Sequence, residues 1–182
     1  MERKKKGKMF NYKVKYRKIK YPRLEFKTGK LLIILPYRTK PEPIIEKHKR
    51  WIEKKSAFIE ECIKEAEGKK LIKRSDDKFK SMVQKYIEKI SEELSVRVNK
   101  IRFRKMKTKW ASCSSQKNLT INTLMKLLPK NLLEYIVFHE LTHLIERKHS
   151  KKFWQIIESR FPNHDYYEKS LFGYWIKINE KL

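Results

Sequence analysis

The stretch FHELTHLIERKHSKKFW, residues 138–154, holds three of the five histidines in this chain of 182 residues. His139 and His143 have the spacing His-Glu-x-x-His, and His149 follows six residues later. On a helix, side chains four positions apart project from the same face, about one turn apart. Two imidazoles arranged in this way can occupy two corners of a zinc tetrahedron. The spacing therefore predicts a metal site on a helix, with Glu140 beside it.

The helix that carries this motif is predicted to be buried. Pro129 suits the first turn of a helix, and the helical pattern continues to Glu146. Apart from the histidines and glutamates, nearly all its side chains are apolar, so it has no solvent-facing side and belongs in a core. Burying several polar groups together costs several kcal/mol unless each has a hydrogen-bond or metal partner, and a metal ion is such a partner for an imidazole.

A third ligand would separate an open catalytic site from a purely structural one. Catalytic zinc sites use three protein ligands and leave a position for water, whereas structural sites usually complete four. His149 stands immediately before Ser150, which suits the N-cap of a following helix, and we expect His149 to be the third ligand. The alternatives are Glu146, Glu158, His164, Asp165 and Glu168. His48, alone on an apolar helix face, is interpreted as structural.

The chemistry that this pattern favours is hydrolysis. The glutamate of such a motif does not bind the metal but takes a proton from the metal-bound water, whose pKa zinc lowers to about 7. We therefore predict a zinc metallopeptidase with Glu140 as the base and Tyr166, Tyr167 or a backbone N–H stabilising the oxyanion. The alternatives are a metal-dependent hydrolase of an anionic substrate such as a nucleotide, and a nucleic-acid-associated protease.

A second block, RKMKTKWASCSSQKNLTINTLMKLLP, precedes the histidine helix at residues 104–129. Two strand-like pieces flank a Ser/Gln/Lys/Asn turn, which predicts a hairpin or meander. The substrate-binding candidates are Trp110, Ser112, Asn122 and Tyr166. Cys113 could be a nucleophile or a zinc ligand, but a packed loop beside the site is the favoured interpretation.

Taken together, the pieces KTKWASC, LTIN, LLP, YIVFHELTHL and KHSKKFW resemble the YgjP-like zinc metallopeptidase family, over about residues 10–170. The resemblance implies a zincin-like metallopeptidase fold and a peptide or protein substrate. It also implies zinc ligated by His139, His143 and His149, with Glu140 as the base. Ala111 stands where the family usually has glycine, and its methyl group could alter a tight backbone turn.

The order of the predicted elements indicates an α+β fold with an N-terminal antiparallel sheet. YKVKYRKI alternates apolar and basic residues, and RLEFKTGKLLIILP is typical of two strands joined by a turn. Helices are predicted over residues 44–66, 76–94, 129–146, 150–160 and 163–179. We expect residues 1–74 to pack as strands and a helix on a metallopeptidase core of residues 75–182, or residues 10–180 to form one continuous domain.

The composition is strongly basic, with 47 Lys and Arg, 21 Asp and Glu, and a net charge of +26. Residues 1–74 contribute 25 of the basic side chains and 9 of the acidic ones. The charge favours polyanions and makes nucleic acid a candidate partner, although scattered lysines also fit a plain compositional bias. Two separate cysteines indicate a reducing cytoplasm, and with no long apolar run we expect neither a signal peptide nor a membrane partner.

Overall fold

The computed structural model of the chain describes residues 3–6, 11–27 and 29–180. It divides into two compact units, one made of Met1–Gly68 and Phe172–Leu182, the other of Lys69–Leu171. The predicted division at residue 74 stays a prediction. Strands and helices are both abundant, so the predicted α+β class is confirmed.

The first unit contains a four-stranded sheet in the order β1-β2-β4-β3. Its strands are β1 Arg3–Lys6, β2 Asn11–Tyr16, β3 Arg23–Lys27 and β4 Lys30–Leu35. The β3–β4 hairpin is predicted correctly, and Thr28 of its turn lies outside the described residues. The predicted antiparallel pairing holds for β1–β2 and β3–β4, whereas β2 and β4 pair in parallel. The reason is that β4, the second strand of the hairpin, lies between β2 and β3 and so pairs with β2.

Helices cover this first sheet and complete its core. The single helix predicted over residues 44–66 is two helices, α1 Glu42–Lys47 and α2 Lys49–Glu67, because His48 leaves helical geometry at ψ 15°. Ile33, Leu35 and Ile52 are completely buried between the sheet and α2. The last helix, α6 His164–Glu180, begins in the second unit and ends in the first. Gly173 is needed there, since a Cβ would lie 2.6 Å from the Cys62 carbonyl oxygen of α2.

The second unit begins with a helix close to its predicted bounds, α3 Asp76–Glu93, in which the Ser75 hydroxyl accepts a hydrogen bond from the Lys78 N–H. A three-stranded sheet follows, with strands β5 Lys100–Arg104, β6 Ala111–Cys113 and β7 Asn118–Asn122 in the order β5-β7-β6. The predicted hairpin is β6–β7, and β5 pairs with β7 in parallel. A 3-10 helix, Thr123–Leu127, leads to the remaining helices.

These helices are α4 Lys130–Thr142 and α5 Lys151–Arg160, followed by α6. The expected burial of the motif helix is confirmed, since eight of its thirteen residues are buried. It ends four residues earlier than predicted, with His143 as its C-cap. The N–H groups of Leu144 and Ile145 bond to carbonyls three residues back, which tightens the last turn and stops the helix. Among the residues that the structure describes, no helix is both long and apolar enough to cross a bilayer.

Candidate metal centre and active site

Three histidines converge at the C-terminal end of α4. His139 lies in α4, His143 is the C-cap of that helix, and His149 comes from the segment that leads into α5. One ring nitrogen from each lies within 4.8 Å of the others, and the Nε2 atoms of His139 and His149 are 3.2 Å apart. Two nitrogens on one tetrahedral zinc, at bond lengths of about 2.0–2.1 Å, would be about 3.3 Å apart. The cluster therefore has the donor type and spacing that a single metal ion requires.

Oxygen atoms of neighbouring residues face the Nδ1 side of two of the rings. Nδ1 of His143 lies 3.2 Å from the Glu146 carbonyl oxygen, so it donates there and leaves Nε2 with a free lone pair. Nδ1 of His139 lies 3.8 Å from a Glu168 oxygen, and the Tyr135 hydroxyl donates to that same oxygen at 2.6 Å. Carboxylates and carbonyls behind ligating histidines hold the tautomer and ring direction that a metal needs.

Phe153 packs against the rings of all three clustered histidines. Phe153 of α5 is completely buried, and its ring centroid lies 4.7–5.0 Å from those of His139, His143 and His149. The Ser150 hydroxyl accepts a hydrogen bond from the Phe153 N–H and so caps α5 directly after His149. The start of this helix therefore positions the third histidine and the ring on which the cluster packs.

His139 and His143 are shifted towards the neutral form that binds metals. Burial, and then the neighbouring His143 and His149, lower the pKa of His139 to about 3. Burial also lowers the pKa of His143. Because a metal binds the unprotonated imidazole, these two groups need not lose a proton at neutral pH before they coordinate.

Glu140 lies next to the cluster, with a carboxylate that is mostly removed from solvent. Burial raises its pKa to about 7, against the opposite effects of a hydrogen bond from the Cys113 N–H and of the Lys109 charge. A carboxyl group with a pKa near the working pH is suited to exchange protons with a substrate or a water. Cys113 belongs to β6, so this strand lies beside the Glu140 side chain.

A cavity of about 400 Å³ opens above these groups. Its wall includes all three histidines and Glu140, together with two of the residues predicted to bind substrate, Trp110 and Ser112. These two lie on or just before β6, which is an edge strand bonded on one side to β7.

The other two predicted substrate-binding residues do not line this cavity. Asn122 is completely buried, where it accepts from the N–H groups of Met106 and Leu124 and donates to the carbonyls of Met106 and Lys109. It holds the loop before β6 in place. Tyr166 is 53 % exposed on α6, with the Lys69 ammonium 5.4 Å from its ring.

The alternative ligands also lie elsewhere or have other partners. The Glu146 carboxylate accepts from the Lys148 N–H, and His164 lies between Glu158 and Asp165 at 3.4 and 3.6 Å. Glu168 faces the Nδ1 side of His139. Over residues 3–6, 11–27 and 29–180, the three clustered histidines are the one set of His, Cys, Asp and Glu side chains placed to share a metal.

Two residues of β6 have environments that sequence reasoning could not supply. Ala111 is buried within an extended strand, and its φ is not positive, so the backbone there does not need glycine. Burial, and then the nearby Glu140, raise the pKa of the Cys113 thiol, against a smaller opposite effect of Arg147. A nucleophilic cysteine needs a lowered pKa, so the thiol is not activated.

The pairing of Tyr135 with Glu168 is the feature that the sequence did not reveal. Glu168 was a candidate ligand, and Tyr135 appears in the resemblance only as the first residue of its Tyr-x-x-x-His pattern. The two residues are 33 positions apart and come from α4 and α6, so no local spacing connects them.

The chain is similar to two solved structures of archaeal metallopeptidase zymogens. For abylysin of Pyrococcus abyssi the identity is 27% and the TM-score 0.43, covering 48% of this chain and 87% of that one. For jannalysin of Methanocaldococcus jannaschii the values are 28% and 0.44, covering 54% and 95%. No curated protein sequence matches the chain significantly.

The model of a protein family, described as YgjP-like, metallopeptidase domain, matches residues 63–173. This range contains the whole histidine cluster, Glu140, Tyr135 and Glu168. The match confirms the predicted metallopeptidase and implies peptide or protein substrates. Because the matched range covers more than half of the chain, the protein belongs to the YgjP-like family and carries its metallopeptidase domain.

Proposed function

We propose that this protein is a zinc metallopeptidase in which His139, His143 and His149 hold the metal and Glu140 is the general base. The observation that supports this proposal most directly is the 3.2 Å separation of the His139 and His149 nitrogens within a cluster of three imidazoles. Three nitrogen donors, with no fourth protein ligand in the part of the chain that the structure describes, are typical of catalytic rather than structural zinc. When bound, zinc would polarise the scissile carbonyl and acidify a water.

Glu140 has the position and the proton affinity for acid–base catalysis. Its carboxylate lies on the cavity wall beside the histidines, with the backbone of Cys113 next to it. In this proposal Glu140 takes a proton from the attacking water and then returns it to the leaving amine nitrogen. A pKa near 7 suits both transfers, since the group must accept and release a proton in each cycle.

The edge of β6 offers a binding surface for an extended peptide. The strand is bonded to β7 on one side, and its residues from Ala111 to Cys113 line the cavity. A peptide that adds to a sheet edge gains main-chain hydrogen bonds without any demand on its sequence. Such pairing would place a peptide bond of the substrate beside Glu140, with Trp110 and Ser112 in contact with its side chains. The family match favours this peptide substrate over the nucleotide alternative.

Metal analysis of the purified protein tests the ligand assignment. We expect about one equivalent of zinc per chain, and we expect His149→Ala to lower zinc affinity by at least about tenfold because one of three donors is lost. His164→Gln is the matched control, since His164 was an alternative ligand and lies outside the cluster. If zinc affinity is unchanged in His149→Ala and reduced in His164→Gln, the assignment is wrong.

Glu140→Gln separates binding of the metal from catalysis. The amide cannot accept the proton, so we expect hydrolysis of an unfolded protein substrate to fall by about 100- to 10,000-fold while the zinc content stays the same. Peptidase activity equal to that of the wild type would remove Glu140 from the mechanism.

A further inference from the structure

The exposed aromatic residues of this protein are concentrated in its first unit. Four aromatic side chains there are clearly open to solvent, and they are Tyr16 at 40%, Tyr21 at 67%, Tyr37 at 67% and Trp51 at 46%. Large apolar rings are normally buried, so an exposed group of them marks an interaction surface.

The strand arrangement brings three of these rings to one end of the sheet. Tyr16 and Leu35 are register partners at the ends of the parallel strands β2 and β4, so residues 17–22 and residues 36–41 leave the sheet at the same end. A hydrogen bond from the Arg17 N–H to the Leu35 carbonyl, 2.9 Å long, ties the two segments together. Tyr21 lies in the first segment and Tyr37 in the second.

The same two segments and the adjoining start of β3 carry only positive charge. Their basic side chains are all exposed, and they are Arg17, Lys18, Lys20, Arg23, Arg38 and Lys40. Residues 16–24 and 36–41 contain no acidic residue, and the first acidic residues after them are Glu25 and Glu42. Among the residues that the structure describes, none of the six has an ion-pair partner, which leaves their charge available to a ligand. We call these six residues, with Tyr16, Tyr21 and Tyr37, the basic–aromatic rim.

A groove of about 440 Å³ is lined in part by Pro22, which stands between Tyr21 and Arg23 of the rim in the sequence. Pro22 and Leu24 form one part of its wall, and His48 and Trp51 form another. The Trp51 ring packs at a tilt against Phe26, with 5.7 Å between the centroids, and still keeps nearly half of its surface open. A flat ring at the side of a shallow groove is a suitable stacking surface for another planar ring.

We propose that the basic–aromatic rim and the Trp51 groove form a binding site for single-stranded nucleic acid. Proteins that bind single strands combine cations along the phosphate backbone with aromatic rings on which bases stack. Here the six basic side chains meet phosphates, and Tyr21, Tyr37 and Trp51 accept bases. A duplex hides its base faces, so the exposed rings favour a single strand. An anionic membrane is a poorer fit, because Ile19 and Pro22 are half-buried and cannot insert.

Binding to a fluorescently labelled oligothymidylate tests this proposal on the full-length protein. The substitutions Lys18→Gln, Lys20→Gln and Arg38→Gln are combined in one rim variant. The control variant combines Lys78→Gln, Lys85→Gln and Lys89→Gln, three exposed positions of α3 with the same loss of charge. We expect the rim variant to lose at least about tenfold in affinity, and its salt dependence to weaken by about two units of the logarithmic slope. The control variant stays within about twofold of the wild type.

Aromatic substitutions distinguish stacking from charge. We expect Tyr21→Ala, Tyr37→Ala and Trp51→Ala each to weaken oligothymidylate binding by at least about fivefold, while Tyr21→Phe and Trp51→Phe keep most of it. Circular dichroism and thermal unfolding show whether each variant is folded. Binding to a matched duplex should depend much less on these rings.

Several results would overturn the proposal. Equal losses in the rim and control variants would show that the overall charge, and not this surface, attracts nucleic acid. No binding of the wild type to oligothymidylate at low salt would also exclude the site. Binding to phosphatidylserine vesicles or to a poly-glutamate peptide, with none to the oligonucleotide, would assign the surface to a different partner.

Discussion

The two sheets of this protein share one strand arrangement and differ in what their ends carry. In the first unit the order β2-β4-β3 places the second strand of a hairpin in the middle, parallel to an earlier strand, and β5-β7-β6 repeats this in the second unit. The central strands end at corresponding positions, Leu35 opposite Tyr16 and Asn122 opposite Arg104. The same backbone arrangement therefore supports two different surfaces.

The difference arises from how the connecting loop is held. In the first unit, a backbone bond from Arg17 to Leu35 joins residues 17–22 to β4, and four of their side chains are exposed, Arg17, Lys18, Lys20 and Tyr21. In the second unit, the buried side chain of Asn122 bonds to the backbone of Met106 and Lys109 in the loop of residues 105–110. This loop leads into Trp110 and β6, which line the cavity. The loop of residues 17–22 presents charges and an aromatic ring to solvent. The loop that Asn122 binds forms part of the cavity wall. One buried amide at the end of the central strand therefore distinguishes the second unit from the first.

The largest expected effect is a complete separation of the two activities by variants in the two units. Glu140→Gln should lose about 100- to 10,000-fold in peptide hydrolysis and keep full oligothymidylate affinity. The rim variant should keep hydrolysis of a short peptide and lose oligonucleotide binding. Both activities are measured on both proteins at matched concentration. A loss of both activities in either variant would show that the two surfaces are not independent.

The next largest effect is expected when the residue that ends β7 is replaced by the residue type that ends β4. Asn122→Leu gives β7 the residue that ends β4, and it leaves the N–H groups of Met106 and Leu124 and two carbonyls without partners. We expect the free energy of unfolding to fall by about 3 kcal/mol in urea titrations, and activity to fall with it. Asn118→Leu, in the same strand, is the control, and its cost should stay below about 1 kcal/mol. Similar losses in both would mean that Asn122 has no special role in holding the loop.

Tyrosines are expected to act through different parts of their side chains in the two units. In the second unit the Tyr135 hydroxyl holds Glu168 behind His139, so Tyr135→Phe should lower zinc affinity by about 10- to 100-fold, as measured by competition with a chromogenic chelator. Tyr167→Phe is the control, because it removes the hydroxyl of a neighbouring tyrosine and keeps the ring that stacks on Tyr135. In the rim, by contrast, Tyr21→Phe should bind as the wild type does. Unchanged zinc affinity in Tyr135→Phe would show that the hydroxyl does not support the metal site.

The smallest expected effect concerns the starts of two helices. Ser150 caps α5 with its hydroxyl, whereas His48 precedes α2 without a side-chain cap. We expect Ser150→Ala to cost about 1 kcal/mol in thermal unfolding and Ser150→Asp to restore most of it, because aspartate also accepts from the first turn. His48→Ala should change stability by less than about 0.5 kcal/mol. A larger loss from His48→Ala than from Ser150→Ala would reverse this comparison.

Most helix positions could be predicted from local patterns, and the errors have physical causes. Ser75 and Ser150 mark true helix starts, because a capping hydroxyl acts within three residues. The end of α4 was placed too late, since the apolar pattern continues through Leu144 and Ile145 while the backbone has already tightened into a turn. The parallel pairs β2–β4 and β5–β7 were missed because alternation predicts a strand but not its neighbour.

The sequence by itself determined where the three clustered histidines stand and the apolar character of the helix that leads to them. Two histidines four residues apart on an apolar helix share a face, and a third stands beside the strong N-cap of the next helix, so local geometry made the histidine cluster predictable. Only the tertiary structure decided which distant groups complete the site: the Cys113 N–H on Glu140, Glu168 behind His139 and Phe153 beneath the rings. It alone also gathered Tyr21, Tyr37 and six cations at one sheet end. Such contacts depend on strand pairing and helix packing between segments far apart in the chain, which no local spacing records.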